Sequence, residues 1–439
     1  MICPHPRRLL FFCAGLDLVG LLSLLILISL FKQPGLKAQL PWILFMAVSY
    51  LGLGWLFGSY TVLRWRRLPL ASVLQRVLVA AVVTAIVVAF LRHVFNPLDA
   101  VWLVHRSTQA TWLAFLTLWS VICRVLLRRG VFVPPAPQIF LVGSSPDRQN
   151  VLAAWKRTPP RQSLRCLSLE KAVQIEPPVV LAVLPSRDQN LHQQFLMDKL
   201  LSRDPRETSL ITPLQLLERQ LERLPPVLVP DPWIDYQDLP CNRMFSLERQ
   251  LKRVADLLVS SVLLVLTAPI LILAMLLIWL DDRGPLFYFQ QRSGWLGRSF
   301  LLYKLRTMAV TPQDALPVWT VPGDRRITRV GLWLRRLRLD ELPQLINVLK
   351  GDMSLIGPRP ERPELEHELE ERIPHYRKRH WMRPGLSGWA QVSAPYAASV
   401  EDSDLKLSYD LYYIKNFSTW LDLMILAKTI KIVLKAEGR

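Results

Sequence analysis

Residues 254–280 read VADLLVSSVLLVLTAPILILAMLLIWL. The run exceeds the roughly 20 apolar residues that cross a bilayer. Yet Pro269 stands at its middle, behind Thr267 and Ala268. A proline inside a helix removes one backbone donor and presses its ring on the preceding turn, so a break is expected at Thr267–Pro269. Both flanks are basic: Arg249, Lys252 and Arg253 before the run, Arg283, Arg292 and Arg298 after it. Positive flanks favour the cytoplasmic face. A helix with both ends on one face has to enter the membrane, bend and return. Irregular backbone at that depth needs polar partners, and Thr267, Ser260 and Ser261 are at hand. A kinked spanning helix fits the hydropathy equally well; the symmetry of charge favours re-entry.

Upstream, four further apolar segments, at about residues 9–31, 41–60, 70–91 and 110–127, each approach a bilayer span. Arg7 and Arg8 precede the first, Arg64, Arg66 and Arg67 lie between the second and third, and Arg124, Arg128 and Arg129 close the fourth. The same rule places the N-terminus and everything after residue 130 in the cytoplasm. An excess of positive charge, +19 over 439 residues, suits anionic partners. With 51% hydrophobic residues gathered in blocks, lipid and phosphate are favoured over nucleic acid, for which no aromatic-basic module is present. The five cysteines are scattered, with neither metal spacing nor a disulfide framework.

Between residues 131 and 245 the pattern changes. Pro134, Pro135 and Pro137 make a stiff exit. Strand-like runs at 138–142 and 179–184 alternate with helical stretches to Lys156, at 188–201 and at 213–224, which indicates a small α/β domain. Its first loop has Gly143 but lacks the three glycines of a dinucleotide fingerprint, so the domain is Rossmann-like and degenerate, without tight nucleotide binding. The fold class expected is therefore a membrane α-helical N-terminal bundle (1–130), this cytoplasmic α/β middle domain (131–245), and a mainly α-helical catalytic domain with the re-entrant helix (246–439).

In that last segment, residues 327–339 interleave apolar side chains with Arg329, Arg335, Arg336 and Arg338, as a helix at lipid headgroups does; residues 420–434 read alike. The stretch LDELPQL (339–345) sets Asp340 and Glu341 before an apolar-periodic helix, with Pro343 suited to its first turn. Capping alone would explain two carboxylates there. Their company argues for chemistry: Arg335 upstream, YKLRTM (303–308) with Lys304 and Arg306, and GDMSLIGPRP (351–360) presenting Arg359 between prolines. Guanidinium forks bind phosphate oxygens in pairs. A carboxylate can attack phosphorus, and a second can share magnesium with substrate phosphates.

These motifs, with KRVAD (252–256), GPLF (284–287), RPGLSGWAQ (383–391) and YDLYY (409–413), resemble the bacterial sugar transferase family, the monotopic phosphoglycosyl transferases. The likeness runs from about residue 246 to 434, and the preceding helices and α/β segment look like its large subtype, which resembles undecaprenyl-phosphate galactose or glucose phosphotransferases. The resemblance implies a Pro-centred re-entrant helix at Pro269 and transfer of a sugar-1-phosphate from a UDP-sugar to undecaprenyl phosphate. It implies Asp340 as nucleophile and Glu341 with Mg2+, the metal shared with Asp340. Lys304, Arg306, Arg335, Arg359 and Arg383 would bind phosphate. Membrane lipids are implied as partners, and a homodimer is compatible. Two positions depart from the family pattern: Thr267-Ala268-Pro269 stands where Ser-Pro is common, and VSAPY (392–396) where Val-Asn-Gly-Arg is usual.

Overall fold

Near-continuous apolar sequence winds into four N-terminal helices in the computed structural model: α1 (Pro6–Phe31), α2 (Leu36–Leu56), α3 (Leu70–Phe95) and α4 (Arg106–Arg128). The structure describes residues 6–31, 36–57, 59–60, 70–95, 106–128, 138–143, 147–157, 163–184, 191–204, 207–231, 247–309, 326–394 and 399–434. The proline exit at 134–137, the basic residues Arg64, Arg66 and Arg67, and Ser246 lie outside them. The chain divides into two compact units, Met1–Gly143 with Pro160–Ile211, and Ser144–Pro159 with Thr212–Arg439.

In the first unit α1 packs on α4 and α2 on α3, around Met46, Tyr50, Ala81, Trp112 and Leu116. Several polar side chains among these helices pair with one another, though the Tyr60 hydroxyl and Trp112 Nε1 are buried without a hydrogen-bond partner among the described residues. Arg124 donates Nη1 and Nη2 to Asp17 at 3.0 and 2.8 Å and Nε to the Ser59 carbonyl at 3.1 Å. Ser120 donates to Asp17 at 2.6 Å and meets the Tyr50 hydroxyl at 2.9 Å.

The same unit holds a parallel sheet ordered β2-β1-β3-β4, from β1 (Gln138–Val142), β2 (Leu164–Leu167), β3 (Val179–Val183) and β4 (Thr208–Ile211). Strands buried on both faces read as unbroken apolar runs, which is why QIFLV and VVLAV are legible. The sequence reading missed β2, LRCL, whose Arg165 interrupts such a run, and with it the short α6 (Leu169–Gln174). Helix α7 spans Leu191–Leu201.

The second unit contains α5 (Asp147–Arg157), α8 (Pro213–Leu221) and the long α9 (Leu247–Asp282). Helix α8 starts at a capping box between Thr212 and Gln215. After α9 come a hairpin, β5 (Phe287–Ser293) with β6 (Ser299–Leu305), then α10 (Arg329–Arg336), α11 (Gln344–Lys350), β7 (Ser354–Ile356), α12 (Pro363–Arg372), β8 (Gly385–Ser387), α13 (Trp389–Ser393), α14 (Val400–Lys415) and α15 (Thr419–Leu434). The main core gathers Leu369, Tyr376, Trp389, Leu411, Tyr413 and Leu421 around α14, whose later turns are buried.

Helix α9 corrects one expectation. It stays helical through Thr267 and Pro269, with no interruption of the helix there. A proline deletes one donor only, and the Thr267 hydroxyl turns back on its own helix, donating to the Leu263 carbonyl at 2.7 Å. Its surface is apolar and open: Val262, Val265, Leu266, Ile272, Trp279 and Leu280 are all exposed. Among the described residues, α9 and the Leu74–Leu91 stretch of α3 are long and apolar enough to cross a membrane.

Candidate active site

Strand β6 carries Lys304, and the chain returns to it through α10 and a 3-10 turn, Leu339–Glu341. Two contacts fix that return. Gly331 passes so close to Thr307 that a Cβ would lie 2.1 Å from the Thr307 carbonyl oxygen. Thr328 caps α10, its side chain accepting from the Gly331 N–H at 2.9 Å. Arg338 then takes a left-handed backbone, φ 55°, which is costly for a residue with a Cβ and recurs where function demands a particular turn. The turn that follows presents Asp340 and Glu341.

Neither carboxylate caps a helix, contrary to the simplest reading of the sequence. Pro343 stands at the N-cap of α11 and no side-chain cap bond is made. Glu341 Oε1 instead receives Lys304 Nζ at 3.0 Å and Arg359 Nη2 at 2.6 Å. Arg338 Nη1 lies 3.8 Å from Oε2. Burial works against a charge on Glu341, but Arg359 and Lys304 outweigh it and hold the carboxyl well below the usual range. Burial also pushes the Lys304 ammonium below the ordinary lysine range, against the pull of Glu341.

Asp340, beside it, is buried, yet its carboxylate takes no hydrogen bond from any described residue. Burial and the negative charge of Glu341 push its carboxyl up to about 6, in spite of Lys304, Arg335 and Arg359. Arg335 is held near by Thr307, whose hydroxyl accepts from its Nε at 2.9 Å. The arrangement is thus one carboxylate neutralised by two cations and a second left open among cations, as a nucleophile requires.

Arg359 reaches the turn from a loop locked by close backbone contact. A Cβ on Gly357 would lie 2.3 Å from the Arg383 carbonyl oxygen, and one on Gly385 2.0 Å from the Gly357 nitrogen. Gly357 donates to the Ser387 carbonyl and Gly385 to that of Pro358, both at 2.8 Å. The Arg359 carbonyl accepts from Arg379 Nη2 at 2.9 Å, and the same nitrogen donates to buried Asp410 at 3.2 Å. The sequence reading missed this Arg379–Asp410 support. It missed Asn347 too, a fully buried amide that donates to the Leu301 carbonyl at 2.7 Å and accepts from Tyr303 N–H at 3.1 Å, joining α11 to β6. A polar residue within the apolar stripe of LINVL is the signal that could have found it.

The structure therefore brings together Asp340, Glu341, Lys304, Arg335 and Arg359. Arg306 is buried against Gly284, where a Cβ would come within 2.5 Å of its Nη1. Arg383 lines a separate cavity with Arg249 and Arg253. Thr267 and Pro269 lie mid-way along α9. A magnesium ion suits the carboxylate pair: among the described residues Asp340 is without a hydrogen-bond donor, and the cation nearest Glu341 Oε2 is Arg338 at 3.8 Å. Magnesium takes one or two carboxylates and completes its shell from substrate phosphates and water.

Residues 247–436 match the family described as bacterial sugar transferase. The chain is 46% identical over 188 residues to the UDP-N-acetylgalactosamine-undecaprenyl-phosphate N-acetylgalactosaminephosphotransferase of Aeromonas hydrophila, covering 43% of this chain and 44% of that one. It is 42% identical over 189 residues to the UDP-glucose:undecaprenyl-phosphate glucose-1-phosphate transferase of Caulobacter vibrioides, covering 43% of this chain and 71% of the relative. It is 38% identical over 209 residues to the undecaprenyl-phosphate galactose phosphotransferase of Salmonella typhimurium, covering 43% and 42%. The matched segment thus spans less than half of the first and last of these relatives. It holds the whole carboxylate turn with its cations, and the chain belongs to the bacterial sugar transferase family.

Proposed function

We propose that the protein transfers a hexose-1-phosphate from a UDP-sugar to undecaprenyl phosphate, releasing UMP, as the first membrane step of exopolysaccharide, capsule or O-antigen assembly. The observation that carries this reading is the unequal pair: Glu341 clamped by Lys304 and Arg359, Asp340 buried beside it without a donor. Asp340 attacks the phosphorus that bears the sugar; the bond to UMP breaks and an aspartyl phosphosugar forms. The phosphate of undecaprenyl phosphate then attacks the same phosphorus, and Asp340 leaves as a carboxylate. Arg359, Lys304 and Arg335 meet the charge that builds on the phosphoryl oxygens in both steps. Magnesium, held by Glu341 and Asp340, would supply further neutralisation of the pyrophosphate.

The apolar acceptor accounts for the apolar helices. In this reading α1–α4 cross the bacterial inner membrane, α9 enters and, bending at Pro269 without losing its helix, leaves on the cytoplasmic side, and the chain after residue 130 is cytoplasmic. The exposed Leu332 and Trp333 on α10, Leu337 at its C-cap, and Trp420, Leu423 and Ile430 on α15 rest at the headgroups. Relatives named for glucose, galactose and N-acetylgalactosamine support a hexose as the sugar.

The test is isotope exchange without lipid. Labelled UMP should enter UDP-sugar in the absence of any undecaprenyl phosphate, because the first half-reaction is reversible and complete in itself. Lipid product formed by a protein that shows no such exchange would sink the covalent route and demote Asp340 to a metal ligand.

A further inference from the structure

The first turns of α9 carry Arg249, Lys252, Arg253 and Asp256 at three- and four-residue spacing, hence on one face. With Trp295 and Arg383 they line a cavity of about 50 Å3. This is room for several waters, each of which needs roughly 10–15 Å3 of such space. Asp340, Glu341, Lys304, Arg335 and Arg359 are not among its lining residues.

Three of its polar groups are committed. Lys252 Nζ pairs with Asp422 at 2.7 Å. Arg253 donates to the Val348 and Leu349 carbonyls at the end of α11, at 2.7 and 3.0 Å. Asp256 accepts from the Leu355 N–H at 3.0 Å. Arg249 and Arg383 share one aromatic partner: both guanidinium groups lie over the Trp295 ring, 5.7 and 5.5 Å from its centroid. Arg383 forms no ion pair among the described residues. Burial and its neighbours Arg253 and Arg249 push it below the ordinary arginine range, the mark of a cation held among cations. The same turns of α9 expose Leu251, Val254, Leu257 and Leu258, side chains that acyl chains would cover. The cavity therefore sits where, along this helix, apolar surface gives way to charge.

We propose that this cavity binds the phosphodiester of an anionic phospholipid headgroup, gripped by Arg249 and Arg383 on their Trp295 platform. Guanidinium forks match phosphate oxygens and desolvate at low cost, an aromatic ring holds them by cation–π attraction, and tryptophan favours the membrane interface. The inference rests on α9 lying in lipid. The site is separate from the one that takes the reacting phosphates.

Native mass spectrometry of the full chain, released from nanodiscs of phosphatidylcholine with phosphatidylglycerol, reads the retained lipid. Wild type should keep phosphatidylglycerol in preference to phosphatidylcholine. Retention should fall about fivefold for each cation removed, in Arg249→Gln, Arg383→Gln and the double variant, and the exposed control Arg372→Gln should leave it unchanged. Arg249→Gln, at an exposed position, keeps the test alive should the double variant not fold. Insertion of α9 is read separately by aqueous maleimide labelling of a cysteine placed at exposed Leu266 in the nanodisc: ready labelling would overturn the membrane reading, whereas protection there with undiminished phosphatidylglycerol in the double variant overturns the pocket alone. Displacement of the lipid by millimolar inorganic phosphate, or UMP affinity that drops in Arg249→Gln, would make this a free-phosphate or nucleotide site and end the proposal.

Discussion

In the first unit, Asp17 is enclosed by donors. Arg124 reaches it with two nitrogens and Ser120 with a hydroxyl, and Tyr50 and Ser59 occupy what remains of the network. In the second unit, Asp340 is also buried among arginines, but no described donor touches its carboxylate; the bonds go to Glu341 next door. The two aspartates differ in satisfaction rather than burial. A closed network fixes helices against one another, because removing either partner strands a buried charge. An open carboxylate does little for the fold and is available to a substrate. The same chemical change should therefore act in opposite senses at the two sites.

On the proposed mechanism Asp340→Asn removes the nucleophile and should reduce lipid-independent UMP exchange by a factor on the order of 10⁴ or more. Asp17→Asn should leave activity per folded molecule intact and instead destabilise the helices around it by about 3–5 kcal/mol, read as a lower melting temperature in detergent. Asp340→Asn should raise that temperature. A carboxyl whose folded pKa is raised to about 6 contributes most stability in its protonated form. That contribution is lost as pH climbs from the unfolded value through 6, so a neutral amide restores it at pH 7, by on the order of 2 kcal/mol. Equal destabilisation by the two substitutions would break the comparison.

Arg359→Lys keeps the charge beside Glu341 and loses the fork. Exchange should fall roughly ten- to hundredfold, the range for a hydrogen bond to a charged group. The pH profile should sharpen the assignment. On the proposed mechanism only the ionised Asp340 attacks phosphorus, so exchange should rise about tenfold per unit below pH 6 and level off above it. A flat profile from pH 5 to 8 would mean that Asp340 is not the titrating nucleophile.

The sequence announced groups whose meaning is local and left silent those whose meaning depends on distant partners. Asp340 and Glu341 are adjacent, Arg359 is bracketed by prolines, and Lys304 sits in an aromatic-basic run, so their chemistry shows in short windows. That Lys304 and Arg359 converge on Glu341 rather than on Asp340 depends on how β6, α10 and the GPRP loop are folded together, and no window contains all three. Arg383 reads like another phosphate ligand because its RPG motif does, yet it faces Arg249 and Trp295, far away in sequence. The apolar runs of β1 and β3 are self-evident, while β2 exists through its pairing with β1. At Pro269 the local rule overreached, since one missing donor leaves the hydrogen bonds on either side intact.

The smallest expected effect probes how the open site is kept ready. Arg335 is positioned by one contact with Thr307, at 2.9 Å, while Thr307 is itself pinned by the close passage of Gly331 and by Thr328, whose N–H donates to its carbonyl at 3.1 Å. Thr307→Val preserves shape and the backbone contacts and deletes only the hydroxyl. Arg335 is half-buried, so water can replace the lost partner and the cost is orientation, about 1 kcal/mol or roughly fivefold in the exchange rate. Arg335→Lys has no Nε–H to donate, so in that background Thr307→Val should change nothing further, a coupling that a double-mutant cycle measures directly. Additive losses would show that Thr307 acts through the fold of α10 instead, and the open carboxylate would then be served by an arginine that needs no positioning.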